Sequence, residues 1–148
     1  VDVELGLSRI AWIGTAQDVG KALNPQAIEG QIEGGTVQGI GGALLESLVY
    51  DDDANPLSTT FVDYLLPTAT DVPPIEYGHV EVPGPGGGGY KGAGEGRAIG
   101  SAPAVINAIN DALAPLGVSI TTLPATPARI VALLDAARGQ VAGVAPKI

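Results

Sequence analysis

The sequence has 148 residues, of which 45% are hydrophobic and only 4% aromatic, so it suits one domain with an aliphatic core. A formal net charge of −9 argues against binding to nucleic acids and to anionic membrane surfaces, and no apolar run is long enough to predict a transmembrane helix. The absence of cysteine excludes disulfides and thiolate metal sites within this chain and fits a reducing, cytoplasmic location.

The N-terminal part predicts extended structure followed by a turn. Residues 2–14, DVELGLSRIAWIG, alternate apolar and polar side chains, which is typical of one or two strands. The DVGKALNP segment at 18–25 predicts a turn, because the residue before a proline avoids the helical region.

A helix, or two consecutive helical pieces, is predicted between Pro25 and Tyr50. Asn24 suits the N-cap and Pro25 the first turn, and apolar residues recur beyond them at steps of mostly three or four. Each of the many glycines in this stretch costs about 1 kcal/mol in a helix interior. Either close packing of helices or the close approach of a ligand to the backbone has to compensate for this cost in stability. We expect these glycines to pack against a partner outside this chain, so that the isolated chain would expose apolar surface.

The sequence pattern in the middle of the chain predicts a turn and two strands. Residues 51–58, DDDANPLS, form an acidic, exposed turn that lacks the ligand spacing of a calcium loop. Residues 59–74 combine a short strand with an extended, proline-bounded segment, and residues 75–84 predict another strand.

The C-terminal part predicts two helices. Ser101 suits the N-cap of the first, and Gly117 ends it. The core face of this helix is formed by Val105, Ile109 and Leu113. A short strand is expected near residues 118–121, and Thr126 with Pro127 begins a last helix that runs to about residue 137.

The predicted elements indicate an α+β fold with a small mixed sheet and about three helices. We assign one domain to residues 1–138 and a frayed tail to residues 139–148.

The glycine-rich stretch GGGGYKGAGEG at 86–96 is the main candidate for chemistry. A glycine loop ahead of a helix can hold an anion through backbone amides, and Arg97 adds a positive group. The spacing, however, matches neither a Walker loop nor a dinucleotide-binding turn. Within the loop, Glu95 has only small neighbours, which suits either a general base close to a bound group or an ordinary exposed loop residue.

Three further polar residues have both a functional and a structural interpretation. Gln31 and Gln38 on the glycine-rich helix offer donor and acceptor groups for a heterocycle or an oxo group, but they also suit a helix surface. His79, the single histidine, is a weak metal signal because no carboxylate or cysteine spacing accompanies it.

Four segments resemble one known family in their order along the chain. They are NPQAIEGQIEGGTVQGIGGALLE (24–46), FVDYLLPTATDVP (61–73), YKGAGEGRAIGSAPAVINAINDAL (90–113) and LPATPARI (123–130). Together they resemble the C-terminal part of the large, molybdenum-binding subunit of the xanthine oxidase family of molybdenum hydroxylases. Aerobic carbon monoxide dehydrogenase-like enzymes and bacterial aldehyde or N-heterocycle hydroxylases are the most similar members. The resemblance extends to about residue 137.

The resemblance implies roles for particular residues. Glu95 matches the glutamate of the family's Lys-Gly-x-Gly-Glu motif, the base that deprotonates the molybdenum-bound hydroxyl group. Gln31 matches a glutamine that contacts the molybdenum–pterin unit. Lys91, Gly92 and Gly94 match the loop that passes close to this cofactor.

The resemblance also implies cofactors and partners. The cofactor is expected to be molybdopterin with molybdenum, in bacterial members usually as the cytosine dinucleotide, with 2Fe–2S clusters and FAD on partner subunits. Expected partners are the rest of the molybdenum subunit, an iron–sulfur subunit and an FAD subunit. The expected reaction is hydroxylation of an aldehyde or N-heteroaromatic carbon with water-derived oxygen, or oxidation of carbon monoxide. The isolated chain is expected to be inactive, since most pterin contacts of the family lie outside it.

The chain departs from the family at Tyr90, where a small residue is common, and in the glycine run 86–89. A non-catalytic assembly module of the same fold is the main alternative function. A stand-alone carbohydrate- or nucleotide-binding domain is a weaker one, because aromatic residues are few and the phosphate motifs are incomplete.

Overall fold

The computed structural model of the chain describes the backbone of residues 1–142 and the side chains of residues 1–139. The predicted α+β class with a small sheet and three helices is confirmed. The elements in chain order are β1 (Ile13–Asp18), α1 (Pro25–Leu44), β2 (Ile75–Val80), α2 (Gly96–Leu113), a 3-10 turn (Ala114–Leu116) and α3 (Pro127–Ala142).

The sheet consists of β1 and β2 paired in parallel, from Ile13 opposite Ile75 to Asp18 opposite Val80. The prediction of strands over residues 2–14 is wrong except for its last two residues. Asp2 accepts hydrogen bonds from the backbone N–H groups of Glu4 and Leu5, each at 2.9 Å, and so favours a turn.

Helix α1 is continuous and begins as predicted. The Asn24 side chain accepts a hydrogen bond from the Ala27 N–H at 3.1 Å, and Pro25 occupies the first turn. The helix ends at Leu44 rather than near Tyr50. The predicted turn at 51–58 is confirmed and is exposed.

The core lies mainly between α1 and α2, against the segment before α3 and α3 itself. Val105, Ile109 and Leu113 of α2 are buried as predicted. The rest of this cluster is Ile40, Ala43, Val118, Ile120, Ala125, Ile130 and Leu134. The expectation that the α1 glycines pack against a partner outside the chain is wrong for Gly35 and Gly39, which pack on α2.

The predicted N-cap Ser101 is also wrong, because α2 begins at Gly96. Ser101 is buried inside the helix, and its Oγ donates to the Arg97 carbonyl oxygen at 2.7 Å. A serine hydroxyl inside a helix can donate to the backbone carbonyl one turn earlier. The preference of serine for the N-cap therefore does not by itself locate the start of a helix.

Two further predicted strands do not form in the part of the chain that the structure describes. In the stretch 59–74, Thr60 and Asp63 form a turn, with Thr60 Oγ1 donating to Asp63 at 2.8 Å. Near 118–121, the Ile120 backbone bonds to the Asn110 side chain instead of to a strand.

The predicted end at Gly117 and the predicted start of the last helix at Thr126 and Pro127 are both found. Gly117 ends the preceding helical segment with a φ of 69°, and the Thr126 hydroxyl accepts from the Arg129 N–H at 3.3 Å at the start of α3. α3 continues to Ala142, so the predicted frayed tail overlaps its last turn. Residues 143–148 lie outside the described residues, and the boundary at residue 138 stays a prediction.

Long apolar side chains lie exposed between α1 and β2, as expected for the isolated chain. Phe61 is 77% exposed and Val62 is 84% exposed. Among the described helices, none is both long and apolar enough to cross a membrane.

Candidate functional site

The glycine-rich loop is held against the segment that follows β1. Gly20 and Tyr90 form an antiparallel bridge, the Lys91 N–H donates to the Val19 carbonyl at 3.1 Å, and the Lys21 N–H donates to Gly89 at 2.9 Å. Gly20 has a φ of +59°, and a Cβ there would lie 2.9 Å from the Lys91 nitrogen. Glycine is therefore needed at this position to let the loop dock.

The glycine run 86–89 is a tight turn. Gly88 and Gly89 have φ values of +104° and +71°, which favour glycine, and the Gly89 N–H donates to the Gly86 carbonyl at 3.1 Å. The ring of Tyr90 covers Gly88, where a Cβ would overlap it. Gly88 and Gly89 therefore allow the tight turn through which the chain reverses before Lys91.

Lys91 forms an ion pair with Asp18 at the end of β1. Asp18 also accepts from the backbone N–H groups of Gly20 at 3.0 Å and Val82 at 3.1 Å. The Lys91 hydrogen bond, followed by that of Gly20, holds the pKa of the Asp18 carboxyl below its usual value. The ammonium of Lys91 thus fixes the loop to the sheet.

Glu95 occupies the N-cap position of α2, but its side chain makes no capping hydrogen bond. The residue is exposed, and its backbone carbonyl accepts from the Ile99 N–H at 3.4 Å. Since helix capping does not use the carboxylate, it is free to act on a bound group. A carboxylate that is free in this way can accept a proton from a group bound within hydrogen-bond reach.

Gln31 lies beside the same loop. A Cβ on Gly94 would lie 3.7 Å from Gln31 Oε1. Gly35, one turn after Gln31 on α1, packs against Arg97, so the contact between the two helices brings Gln31 to the loop that ends at Glu95.

Gly92 differs from Gly20 and Gly88, because a Cβ on Gly92 would meet nothing within 4 Å in the described chain. Its carbonyl accepts from Gln17 Nε2 at 3.4 Å. The chain itself therefore does not require glycine at this position, and the open space is available to a bound group.

A groove of about 270 Å³ runs between this loop and the start of α1. Its polar lining comes from Lys21, Asn24, Gln31 and Lys91, and its apolar lining includes Val19, Leu23, Ile28 and Tyr90. An apolar lining with a few polar groups is typical of a small-molecule site. The sequence predicts only a turn for the segment that contains Lys21 and does not identify this cation as a candidate. A cation just before a helix N-terminus was the signal that could have identified it.

Two other sequence candidates lie elsewhere. Gln38 is exposed two turns beyond Gln31, and His79 is on β2, 3.9 Å from a Glu81 carboxylate oxygen. Within residues 1–142, no group of three or more His, Cys, Asp or Glu side chains is placed to hold a metal ion.

Comparison with known proteins identifies a matching family model and relatives with similar sequences. A family model described as Molybdopterin cofactor-binding domain matches residues 1–73, which end before the glycine-rich loop. Nicotine 6-hydroxylase large subunit of Paenarthrobacter nicotinovorans is 43% identical over 132 residues, or 88% of this chain and 16% of the relative. The chain therefore spans about a sixth of the length of this relative.

Two solved structures carry the comparison through the loop. Quinoline 2-oxidoreductase from Pseudomonas putida 86 has a TM-score of 0.77 and 49% identity over 80% of this chain and 15% of that one. CO dehydrogenase from Oligotropha carboxidovorans has a TM-score of 0.84 and 31% identity over 95% of this chain and 18% of that one. The confirmed fold is thus that of a segment of these larger subunits.

Proposed function

The chain belongs to the molybdopterin-binding large subunits of the molybdenum hydroxylase family, and on that premise we propose that it supplies the catalytic base and part of the cofactor pocket of such an enzyme. The observation that carries the proposal is the position of Glu95. Its exposed carboxylate ends a loop that Gln31 contacts from α1 and that borders a groove with cationic and amide groups.

The groove fits the expected cofactor in its chemistry. Lys21 offers a cation for a phosphate group, and Gln31 offers an amide for a pterin ring or an oxo group. Gly92 is not part of the groove lining, but on the adjoining loop it leaves open the space that a Cβ would fill. Lys91 is tied to Asp18, so its role is to fix the loop rather than to reach freely for a ligand.

When bound, the molybdenum cofactor supplies the two-electron redox chemistry of the reaction. The Glu95 carboxylate oxygens accept a proton from the water-derived nucleophile, which raises its reactivity toward an electron-poor carbon. Gln31 orients the bound group by hydrogen bonding. The docked loop would hold Glu95 in place before the substrate arrives.

The form of the cofactor, the cofactors on partner subunits and the cellular location are part of the same proposal. We propose the cytosine dinucleotide form of molybdopterin, with 2Fe–2S clusters and FAD on partner subunits and a cytoplasmic location, which the lack of cysteine fits. The exposed apolar residues around Phe61 and Val62 would contact the remainder of the molybdenum subunit.

We propose an N-heteroaromatic substrate. The relatives named for nicotine and quinoline, which are both N-heteroaromatic compounds, have higher identity to this chain than the carbon monoxide enzyme. Assays of the assembled enzyme with a pyridine or quinoline, an aldehyde and carbon monoxide separate the three classes.

The test of the base is Glu95→Gln in the assembled enzyme, with Glu76→Gln, an exposed glutamate on β2, as the control. Turnover should fall by about 10²- to 10⁴-fold in the first variant while molybdenum content stays at the wild-type level, because a general base contributes about this much. The control should keep its activity. Wild-type turnover of Glu95→Gln would refute the assignment.

The alternative is a non-catalytic module of the same fold. It predicts that the purified native complex contains no molybdenum and has no hydroxylase activity with any of the three substrate classes. Metal analysis of the complex distinguishes it from the proposal above.

A further inference from the structure

A buried arginine lies directly behind the loop that carries Glu95. Arg97 is the second residue of α2 and is 7% exposed. Its Nη1 donates to Thr15 Oγ1 on β1, while Nε and Nη2 are buried and have no partner among the described residues. A guanidinium has five N–H donors, so most of its donor capacity is unused.

Arg97 is costly at this position. Burial lowers the pKa of its guanidinium, but an arginine remains protonated, so the charge is kept largely out of water. A cation in the first turn of a helix also opposes the helix dipole. Arg97 therefore does not stabilise α2. Its unpaired N–H groups need an acceptor from another part of the structure.

An acceptor without a partner lies on the strand that Arg97 contacts. Gln17 is two residues after Thr15, on the same face of β1, and its Oε1 is buried and unpaired within the described part of the chain. Its amide packs on Gly96, where a Cβ would lie 2.7 Å from Nε2 and 3.2 Å from Oε1. Gln17 Nε2 donates to the Gly92 carbonyl at 3.4 Å, so Gln17 also reaches the loop before Glu95.

The structure shows no hydrogen bond between Arg97 and Gln17. We propose that a side-chain rotation brings a free guanidinium N–H onto Gln17 Oε1, that the two residues then form a buried clamp, and that Arg97 is thereby a positioning residue for Glu95. Since Thr15 and Gln17 share one face of a strand, a single guanidinium can bind both. The clamp holds the chain on both sides of Glu95, at Arg97 directly and at Gly92 through Gln17. Its catalytic consequence rests on the proposed function, whereas its effect on loop order does not.

The test uses the holoenzyme and compares Arg97→Met, Gln17→Leu and the double variant, with Arg129→Met as the control. The Arg129 guanidinium also donates hydrogen bonds, to the Thr122 and Pro124 carbonyls, but outside this site. Amide hydrogen exchange of residues 91–96 measures loop order without turnover. We expect exchange about tenfold faster in each single variant, no further increase in the double variant, and wild-type exchange in the control.

Kinetics provide the second readout. In Arg97→Met, kcat should fall by roughly 10- to 100-fold with a KM near wild type and unchanged molybdenum content, because a small displacement of a catalytic group has effects of this size. Wild-type exchange in both single variants, or effects that simply add in the double variant, would overturn the clamp. If Glu95→Gln keeps its turnover while the exchange result holds, the clamp stands and the base assignment fails.

Discussion

Gly39 of α1 lies so close to Ser101 of α2 that a Cβ on Gly39 would overlap the Ser101 Cβ and lie 2.9 Å from the Ala102 nitrogen. One turn earlier, a Cβ on Gly35 would lie 2.9 Å from the Arg97 Cβ. Two glycines spaced by one turn thus allow the backbones of α1 and α2 to approach, which fixes the register between the helix that carries Gln31 and the helix that follows Glu95.

The first prediction is that Gly39→Ala destabilises the protein although alanine is the better helix former. The added methyl group meets backbone and Cβ atoms that cannot move away, and such overpacking costs about 1–3 kcal/mol. Gly34→Ala is the matched control, because a Cβ there meets nothing within 4 Å, and it should raise stability by up to about 1 kcal/mol. Thermal unfolding of the assembled protein measures both, and equal effects would contradict the packing described.

The second prediction concerns Asp18 and pH. Its pKa is lowered in the folded chain, first by the Lys91 hydrogen bond and then by that of Gly20. A lowered pKa stabilises the fold above the unfolded value of about 4, and this contribution is lost as the pH falls through the folded value. Asp18→Asn should therefore lower Tm at pH 7, and the deficit should shrink as the pH falls below about 4. Asp52→Asn, at an exposed turn, is the control and should leave Tm at pH 7 near the wild-type value. A deficit in Asp18→Asn that does not change with pH would refute the linkage.

The third prediction concerns the contact between α2 and the segment after it. Asn110 Nδ2 donates to the Ile120 carbonyl at 3.1 Å, and Asn110 Oδ1 accepts from the Ile120 N–H at 2.7 Å. Asn110→Ala leaves both backbone groups of the buried Ile120 unpaired, which should cost about 1–3 kcal/mol of unfolding free energy. Asn107→Ala, on the exposed face of α2, is the control and should change stability little. Urea unfolding compares them, and similar midpoints would rule out the paired bonds as a stabilising contact.

The fourth prediction tests Gly92 as a contact of the cofactor. Gly92→Ala adds a methyl group to space that the described chain leaves open, so the fold should be unaffected while the bound pterin loses room. We expect lower molybdopterin content at unchanged Tm of the cofactor-free protein. Gly100→Ala, which also meets nothing within 4 Å but lies within α2, should keep full cofactor content. Full content in both variants would remove Gly92 from the cofactor site.

The sequence predicted α1 and the core face of α2 well, because those features depend on local rules. Asn24 and Pro25 act within one turn, and the spacing of Val105, Ile109 and Leu113 follows the helical repeat. The strand over residues 2–14 failed because the alternation of apolar side chains does not reveal whether another strand is available for pairing.

The candidate site was only partly accessible to sequence reasoning. The family resemblance identified Glu95 and Gln31, and the structure brings them to one loop; their catalytic and binding roles stay predictions. The unused donors of Arg97 and the unused acceptor of Gln17 could not be foreseen, since they depend on how β1 lies against α2.

The parallel pairing of β1 with β2 joins segments separated by all of α1 and the acidic turn. Closing so large a loop costs conformational entropy before any contact repays it, and such non-local pairing slows folding. Asp18 and Lys91 meet only after this closure. The groove between the glycine-rich loop and α1 is therefore completed late in folding, and a ligand that binds there would stabilise only chains that have finished the process.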